Sequence, residues 1–335
     1  MLEKTMKQVL LKKIKQWTDS IEDVNVKEFI KKNIIVTGGC FTSFIQNEEP
    51  KDFDIYFRNK ETVLAVAQYY AKVWNDTHKN QENKAGYRCN LLVLDCDYPS
   101  NEVLNYYRCS NRDELLSNGA IMVSNLEKGR IKMIFPSDGI VEDPENVRAS
   151  EELGVQPEEI ITELDEKDAE EKIKKEKRPF HPVFVSSNAI TLSEGIQIIV
   201  RFYGEPSEIH DTFDFVHTKA YFDINDEIIQ IPKEVYEAVV NKTLRYTGSK
   251  YPVCSLFRLR KFIERGWKIN AGQILKIAMQ VSDLNLKDIN VLEDQLVGVD
   301  SLYFMSLINK FREQEKNKDF TLTTDYITSI IDKIF

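Results

Sequence analysis

The spacing of apolar and polar positions in the N-terminal part of the chain predicts a regular series of helices and strands. Apolar residues first recur at helical spacing, and two short apolar runs bounded by polar or turn residues follow. The predicted elements are a helix in residues 1–32, a strand at 34–37, a helix near 41–46, a strand at 53–57 and a helix at 61–75. The next core strand is predicted only at about residue 196.

The late third core strand makes residues 78–185 a large insertion. Apolar runs within the insertion predict further strands, so part of it should extend the core sheet or form a subdomain. These elements are expected at 90–96, 120–123 and 131–135, with a helix at 101–117. Residues 141–178 are rich in Glu and Lys and poor in aromatic residues, which is typical of a solvated helix or a mobile lid.

Length and composition predict a chain that buries a sizeable core and forms about two domains, because it has 335 residues and 42% hydrophobic content. Residues 230–335 carry helical patterns, which predict a C-terminal helical domain. The predicted organisation is a core made of residues 1–77 and 186–229, the insertion 78–185 and the helical domain 230–335.

The motif with the clearest chemistry lies between the first two predicted strands. Gly38 and Gly39 follow the first strand, Ser43 comes next, and Asp52 and Asp54 lie at the second strand. Side chains two residues apart on a strand point to the same face, with Cα atoms roughly 7 Å apart. The two carboxylates are therefore predicted to bind one metal cluster.

These residue types suit nucleotidyl transfer from a triphosphate. The reaction needs the phosphate charge neutralised and the pKa of the attacking hydroxyl lowered, which paired divalent ions achieve. Carboxylates on a strand suit Mg²⁺, because this hard ion prefers oxygen ligands. The backbone of Gly38 and Gly39 can approach a phosphate closely because glycine has no Cβ, and Ser43 can add a hydroxyl donor.

With this motif the chain resembles the DNA polymerase β-like nucleotidyltransferase superfamily. The signature of that superfamily is an apolar strand, Gly-Gly or Gly-Ser, a short helix and Asp-x-Asp on the next strand, and Ile34–Phe57 matches it. The resemblance implies an α+β fold with the mixed sheet core of a nucleotidyltransferase, followed here by a large insertion and a C-terminal helical domain. It also implies an NTP substrate and Mg²⁺ as cofactor, with Mn²⁺ as an alternative.

A second match lies downstream, where Gly195–Tyr203 and Phe213–Asp223 are similar to the end of the catalytic core in CCA-adding tRNA nucleotidyltransferases and bacterial poly(A) polymerases. The resemblance places Arg201 on the arginine of the family strand, where it would offset phosphate charge. It places Asp214 on the aspartate of the following motif. The chain departs from the family at Gln197, which stands where the family strand carries its third metal-binding acid.

Asp214 is the predicted third carboxylate, with Asp211 and Asp223 as the next candidates. A neutral glutamine is a poor substitute for an anion at a two-metal site, so a third acid would have to come from elsewhere, and without one the chain would bind a nucleotide without turning it over. The alternative is that Asp214 only caps a helix beginning near Val216, since aspartate is favoured at helix starts. The residues leave both interpretations open.

Residues 250–268 interleave basic and apolar side chains and are similar to the helical neck that follows the core in the same families. The resemblance implies that the basic side chains contact the triphosphate or the base. They are Arg258, Arg260, Lys261 and Arg265. The alternative is an amphipathic helix with a solvated basic face.

The charge distribution limits the classes of partner. A net charge of −9 argues against a protein that coats nucleic acid, because such binding depends on neutralising phosphates. Residues 241–274 nevertheless contain eight Lys or Arg against one acid, which would suit a triphosphate or an RNA end. The chain has no apolar run long enough to cross a membrane, and its start is charged, so a cytoplasmic location without a membrane partner is predicted.

The sequence therefore predicts a Mg²⁺-dependent nucleotidyltransferase that transfers NMP from an NTP to an acceptor hydroxyl and releases pyrophosphate. An RNA 3′ end, including that of a tRNA, is the favoured acceptor. The alternative is a non-catalytic nucleotide-binding or assembly protein that retains the fold, and Gln197 favours that alternative. No oligomeric state is predicted.

Overall fold

The structure, a computed structural model, describes residues 1–77, 91–134, 140–141 and 178–296. These residues form two compact units. Unit 1 contains the described residues up to 141 together with 178–211 and 220–230, and unit 2 contains 212–219 and 231–296. The segment for which a solvated helix or lid is predicted lies outside the described residues, except for its two ends.

The N-terminal part of unit 1 contains four helices among the described residues, and the last two lie close to the bounds predicted for them. They are α1 (Glu3–Ser20), α2 (Val24–Asn33), α3 (Gly39–Gln46) and α4 (Lys60–Thr77). The single helix predicted for residues 1–32 is therefore wrong. Asp23 divides it, because its carboxylate accepts hydrogen bonds from the N–H groups of Asn25 and Val26 and so starts a new helix.

The helix predicted at 101–117 is also two helices, α5 (Asn101–Tyr106) and α6 (Arg112–Ser117). Arg108, between them, adopts a left-handed backbone with φ of 54°. A right-handed helix cannot continue through a residue in this conformation. Asn111 then starts α6 by accepting a hydrogen bond of 2.8 Å from the N–H of Glu114. A short helix α7 (Pro206–His210) completes the helices described in unit 1.

A mixed sheet of eleven strands forms the centre of unit 1 in the described part of the chain. Its main path runs β11-β10-β1-β2-β9-β5-β4-β3, and β8 joins β9 to β7 and β6. The strands are β1 (Ile34–Thr37), β2 (Phe53–Phe57), β3 (Leu92–Leu94), β4 (Ala120–Glu127), β5 (Arg130–Ile134), β6 (Ile140–Val141), β7 (Pro182–Val185), β8 (Ala189–Leu192), β9 (Ile196–Tyr203), β10 (Tyr221–Asp223) and β11 (Ile228–Gln230). The strands of the insertion thus extend the sheet.

The direction of the central strands positions the motif residues. β1 pairs antiparallel with β2, and β2 pairs parallel with β9. All four residues of β1 are buried, as expected for an apolar strand in the middle of a sheet. The helices α1 and α4 add a shared core contact, because the indole N–H of buried Trp17 donates a 2.7 Å hydrogen bond to the hydroxyl of Tyr70.

Unit 2 consists mainly of helices in its described residues. These are a 3₁₀ turn (Val216–Thr218), α8 (Lys233–Val240), α9 (Pro252–Glu264), α10 (Ala271–Ser282) and α11 (Ile289–Leu296). Two short strands, β12 (Thr243–Leu244) and β13 (Lys268–Ile269), pair in parallel. The predicted α+β class is confirmed by this combination of a large mixed sheet with helices. Within the described ranges, no helix has the length and apolarity needed to span a lipid bilayer.

Candidate functional site

One row of side chains crosses the central strands of unit 1 at the predicted motif. Thr37 of β1 pairs in register with Asp54 of β2, and Asp54 pairs with Gln197 of β9. Residues paired in register on adjacent strands project from the same face of a sheet, about 4.8 Å apart. Thr37, Asp54 and Gln197 therefore lie side by side on one face, and the structure brings Gln197 next to the predicted metal ligand.

Gly38 brings its backbone directly against the Asp54 carboxylate. It precedes α3 with φ of 92° and ψ of −148°, in the left-handed half of backbone space that favours glycine. A Cβ built on Gly38 would lie 2.2 Å from Oδ2 of Asp54. A Cβ built on Gly39 would meet nothing within 4 Å. The first glycine of the predicted pair is thus required by the approach of Asp54, whereas the second is not.

Gly195 lies close to the backbone beside the other carboxylate, that of Asp52. Its φ is 67°, and a Cβ there would lie 2.3 Å from the carbonyl oxygen of Lys51. Its own carbonyl accepts a 2.9 Å hydrogen bond from the N–H of Phe53. The turn into β9 therefore holds the backbone on both sides of Asp52, whose side chain is exposed. Sequence reasoning assigned no site role to Gly195, although a glycine directly before a buried strand is a signal of close backbone approach.

The buried thiol of Cys40 lies in the first turn of α3, close enough to both carboxylates to be affected by their charge. Burial raises the pKa of this thiol well above its ordinary value, and the charge of Asp54 and, to a smaller extent, that of Asp52 raise it further. Both carboxylates therefore impose negative potential at the start of α3. A cation placed there would be stabilised, which fits the predicted divalent ion.

Thr37 and His210 form a contact that the sequence did not predict. The Thr37 hydroxyl donates a 2.7 Å hydrogen bond to the carbonyl of Ala220 and lies 2.8 Å from Nε2 of His210. Since the hydroxyl proton is used by Ala220, Nε2 of His210 must be the donor in the second contact. The His210 ring also packs edge-on against Tyr221, with centroids 5.5 Å apart. The sequence signal for this contact was Thr37 itself, a polar residue at the end of an apolar strand.

Ser43 lies on α3 and Arg201 lies on β9. Ser43 lies one helical turn after Gly39 on the half-buried side of α3. Arg201 is only 2% exposed, and one guanidinium N–H lies 3.3 Å from the side-chain oxygen of Asn188. Contact of Arg201 with a phosphate stays a prediction.

Asp214 belongs to unit 2, where it is 6% exposed and accepts a 2.8 Å hydrogen bond from Arg258. The two residues form an ion pair, so the structure brings together a predicted acid and a predicted phosphate-binding base. The helix-capping alternative for Asp214 is wrong, because Phe215 occupies the capping position and no side chain caps the turn. Of the other candidate acids, Asp211 ends α7 and Asp223 forms an ion pair with Arg58.

The remaining predicted basic residues lie at the C-terminal end of α9. Arg260 is exposed and pairs with Glu264 at 3.0 Å one turn later. Lys261 occupies the last turn of the helix, and Arg265 is the residue that ends it. Arg258, Lys261 and Arg265 fall on the helix at spacings of three and four, so they share one side of α9.

The oxygen donors beside Gly38 fit a hard divalent cation with an incomplete protein ligand set. Within the described ranges, no group of three or more His, Cys, Asp or Glu residues is placed to hold a metal ion. Asp52 and Asp54 supply two carboxylates, and Gln197 can supply an amide oxygen. Mg²⁺ is commonly bound by one or two carboxylates together with water and substrate phosphates, so this donor set suits it.

Comparison with known proteins identifies the family of this chain. The family model of the Gabija anti-defense 2 family matches residues 8–242, a stretch that includes Gly38, Asp52, Asp54 and Gln197. The protein "Gabija anti-defense 2" of Bacillus phage SPbetaL7 is 24% identical over 123 residues, which are 36% of this chain and 30% of that protein. The aligned stretch thus spans less than a third of the relative's length. Because the family model covers more than half of its residues, the chain belongs to the Gabija anti-defense 2 family.

Proposed function

We propose that this protein is a Mg²⁺-dependent nucleotidyltransferase that transfers NMP from an NTP to an acceptor hydroxyl and acts in this way against the Gabija defence. The observation that carries the proposal is the contact geometry of Gly38 and Asp54. Only a glycine fits against that carboxylate, at a position where the N-terminus of α3 begins. The arrangement combines negatively charged carboxylates that can bind a cation with backbone N–H groups that can bind phosphate oxygens.

The arrangement of the strands supports the same proposal. The motif follows the order strand β1, helix α3, strand β2. Asp54 is held between β1 and β9, and Asp52 directly precedes β2. The order of these elements matches that expected from the superfamily resemblance. The large inserted strands extend the sheet beyond β9 and leave the β1-β2-β9 row intact.

In the proposed reaction Asp52 and Asp54 would hold Mg²⁺, which when bound neutralises phosphate charge and lowers the pKa of the attacking hydroxyl. The N–H groups at Gly38 and Gly39 would position the β- and γ-phosphates, with Ser43 as a further donor. The acceptor oxygen forms a bond to the α-phosphorus as the bond to the β-phosphate oxygen breaks. The acceptor proton leaves to solvent, and pyrophosphate departs.

The acceptor follows from two arguments. An RNA 3′ end, including that of a tRNA, is the acceptor favoured by the sequence resemblance, and the basic side of α9 supports it. The family description, Gabija anti-defense 2, supports a reaction that counteracts the Gabija defence. We therefore propose that modification of an RNA or protein hydroxyl needed by that defence is the biological outcome.

A non-catalytic role is the second candidate, and Gln197 is the observation that favours it. A neutral amide stands in register with Asp54 where the resembled families carry an acid. In that case the protein binds a nucleotide, or acts as an assembly protein, without transferring NMP.

The test incubates the purified protein with each α-labelled NTP, Mg²⁺ or Mn²⁺, and either total RNA or an extract of cells carrying the Gabija defence. Label is expected in an acceptor with the wild type and not with Asp52→Ala/Asp54→Ala. Label transfer that survives this double substitution would remove the mechanism. Nucleotide binding without transfer by the wild type would instead support the non-catalytic candidate.

The same variants connect the chemistry to the family. Wild-type protein produced in Gabija-carrying bacteria is expected to restore phage plaques, and the Asp52→Ala/Asp54→Ala protein is expected to fail at equal abundance. Equal restoration by both proteins would separate anti-defence action from nucleotidyl transfer.

A further inference from the structure

We infer that Gln197 is the third side chain of the Asp52/Asp54 site, and that its neutral amide limits the site to one bound divalent ion instead of two. The inference rests on the proposed function, since it concerns the cation and nucleotide that the function requires. It assigns to Gln197 the place that sequence reasoning gave to Asp214.

The strand register carries the inference. Gln197 pairs directly with Asp54 on the adjacent parallel strand, so the two side chains leave the same face about 4.8 Å apart. Its neighbours Ile196 and Ile198 are fully buried on the opposite face, whereas Gln197 is partly exposed. The amide therefore projects toward the side of the sheet that carries the Asp54 carboxylate.

Two polar side chains of this row, those of Gln197 and Thr191, have no hydrogen-bond partner among the described residues. Among the described residues, the Gln197 amide forms no hydrogen bond. Thr191, which pairs with Gln197 on β8, has a buried hydroxyl oxygen that also lacks a partner in the described part of the chain. Buried polar groups are nearly always satisfied, so the unsatisfied Thr191 hydroxyl beside Gln197 indicates a ligand or ordered water on this face.

Charge sets the number of cations. Two divalent ions a few ångströms apart repel each other strongly, and carboxylates between them are what offset that repulsion. Asp52 and Asp54 supply two negative charges, and Gln197 adds an oxygen ligand but no charge. One Mg²⁺ with substrate phosphates and water therefore matches this site, and a carboxylate at position 197 would create a second cation site.

The experiment measures Mn²⁺ binding to the full chain by electron paramagnetic resonance and calorimetry, in the presence of an NTP analogue with a non-hydrolysable α-β bridge. The wild type is expected to bind one Mn²⁺ in its complex with the analogue, counting the ion that the analogue itself carries. Gln197→Glu is expected to bind two, with at least about tenfold tighter Mn²⁺ binding overall. Gln197→Asp, which carries the same charge on a shorter side chain, serves as a second variant in case Gln197→Glu impairs folding, which circular dichroism monitors.

Gln230→Glu is the matched control. Gln230 pairs with Tyr221, which pairs with Thr37, so it lies in the same row three strands from Asp54, roughly 14 Å away. It is exposed, and the substitution adds the same charge to the same face. Its Mn²⁺ binding is expected to equal that of the wild type.

The outcomes separate the inference from the function. The inference would be overturned if the wild type bound two Mn²⁺ ions. It would also be overturned if Mn²⁺ binding were unchanged in both Gln197 variants while Asp52→Asn/Asp54→Asn lost Mn²⁺. Either result would leave the proposed function in place. Equal Mn²⁺ and nucleotide binding by the wild type and Asp52→Asn/Asp54→Asn would overturn the proposed function itself.

Discussion

Gly38 lies so close to Asp54 that a single added methyl group would overlap the carboxylate, at 2.2 Å from Oδ2. The contact joins the two parts of the sequence motif, the glycine turn and the acid on the next strand, which are 16 residues apart in the chain. It exists because β1 and β2 pair antiparallel, with Thr37 opposite Asp54. Substitution of Gly38 should therefore disturb the position of the Asp54 carboxylate.

Gly38→Ala is expected to destabilise unit 1 by about 1–3 kcal/mol, because alanine adds both a clash with Asp54 and strain at a positive φ. Gly39→Ala is the control. A Cβ there meets nothing, and alanine is favoured over glycine in a helix by about 0.5–1 kcal/mol, so its stability should be unchanged or higher. Urea denaturation compares the two. Equal losses in both variants would contradict the role given to Gly38.

Gly195→Ala is expected to be more costly than Gly266→Ala, although both glycines have positive φ. The added Cβ at Gly195 lies 2.3 Å from the Lys51 carbonyl, whereas at Gly266 it meets nothing within 4 Å. Gly266→Ala should therefore show backbone strain alone, about 1 kcal/mol. Mn²⁺ titration tests the effect on the site. Displacement of the backbone beside Asp52 should weaken Mn²⁺ binding in Gly195→Ala and not in Gly266→Ala. Intact binding in that variant would contradict the positioning role.

Arg258→Ala is expected to lower the free energy of unfolding of unit 2 by about 1–3 kcal/mol. Asp214 is buried, so removing its partner leaves an uncompensated charge, although the half-exposed position of Arg258 limits the loss. Arg260→Ala is the control, because its pair with Glu264 is exposed and contributes about 0.3–0.5 kcal/mol. Urea unfolding measures both. A result in which the two variants match would show that the Asp214 ion pair does not stabilise the fold.

His217 makes the stability of unit 2 dependent on pH. It is 1% exposed and packs against Phe262 and Trp267, and burial lowers its pKa to about 4 from the ordinary 6.5. The unfolded chain takes up the proton first, so the stability associated with neutral His217 is complete above pH 6.5. It is lost as the pH falls toward about 4, by at most roughly 3 kcal/mol.

The measurement for His217 is urea unfolding at pH 7.5, 6 and 5, followed by tryptophan fluorescence. Trp267, whose ring centroid is 4.4 Å from the imidazole, contributes to that signal together with Trp17 and Trp74. His217→Leu removes the titrating group and keeps an apolar side chain in the core. The variant should therefore lose less stability than the wild type between pH 7.5 and 5. Parallel losses in both proteins would assign the pH dependence to other groups.

Local patterns allowed much of the central sheet to be predicted. The apolar runs at β1 and β2 and the glycine pair were enough to locate these elements, because strand and turn preferences are set by neighbours in sequence. Helix breaks were predicted poorly. Asp23 and Arg108 interrupt helices through a side-chain hydrogen bond and a left-handed backbone, and neither effect changes the apolar spacing.

The surroundings of Asp214 and Gln197 show why the third member of the site was harder to predict. A carboxylate can cap a turn, pair with a base or bind a cation, and these choices depend on which distant residues fold beside it. Asp214 is paired with Arg258, 44 positions later in the chain, and Gln197 is placed beside Asp54 by a parallel pairing across the whole insertion.

The sequence by itself determined the α+β class, the early strands, and the carboxylates and glycines of the motif, because each follows from residues close together in the chain. Only the tertiary structure decided that Gly38 meets Asp54, that Gly195 holds the backbone beside Asp52, and that Gln197 is the next side chain in the row. These contacts depend on strand register and on left-handed turns, and both are settled when distant segments pack together.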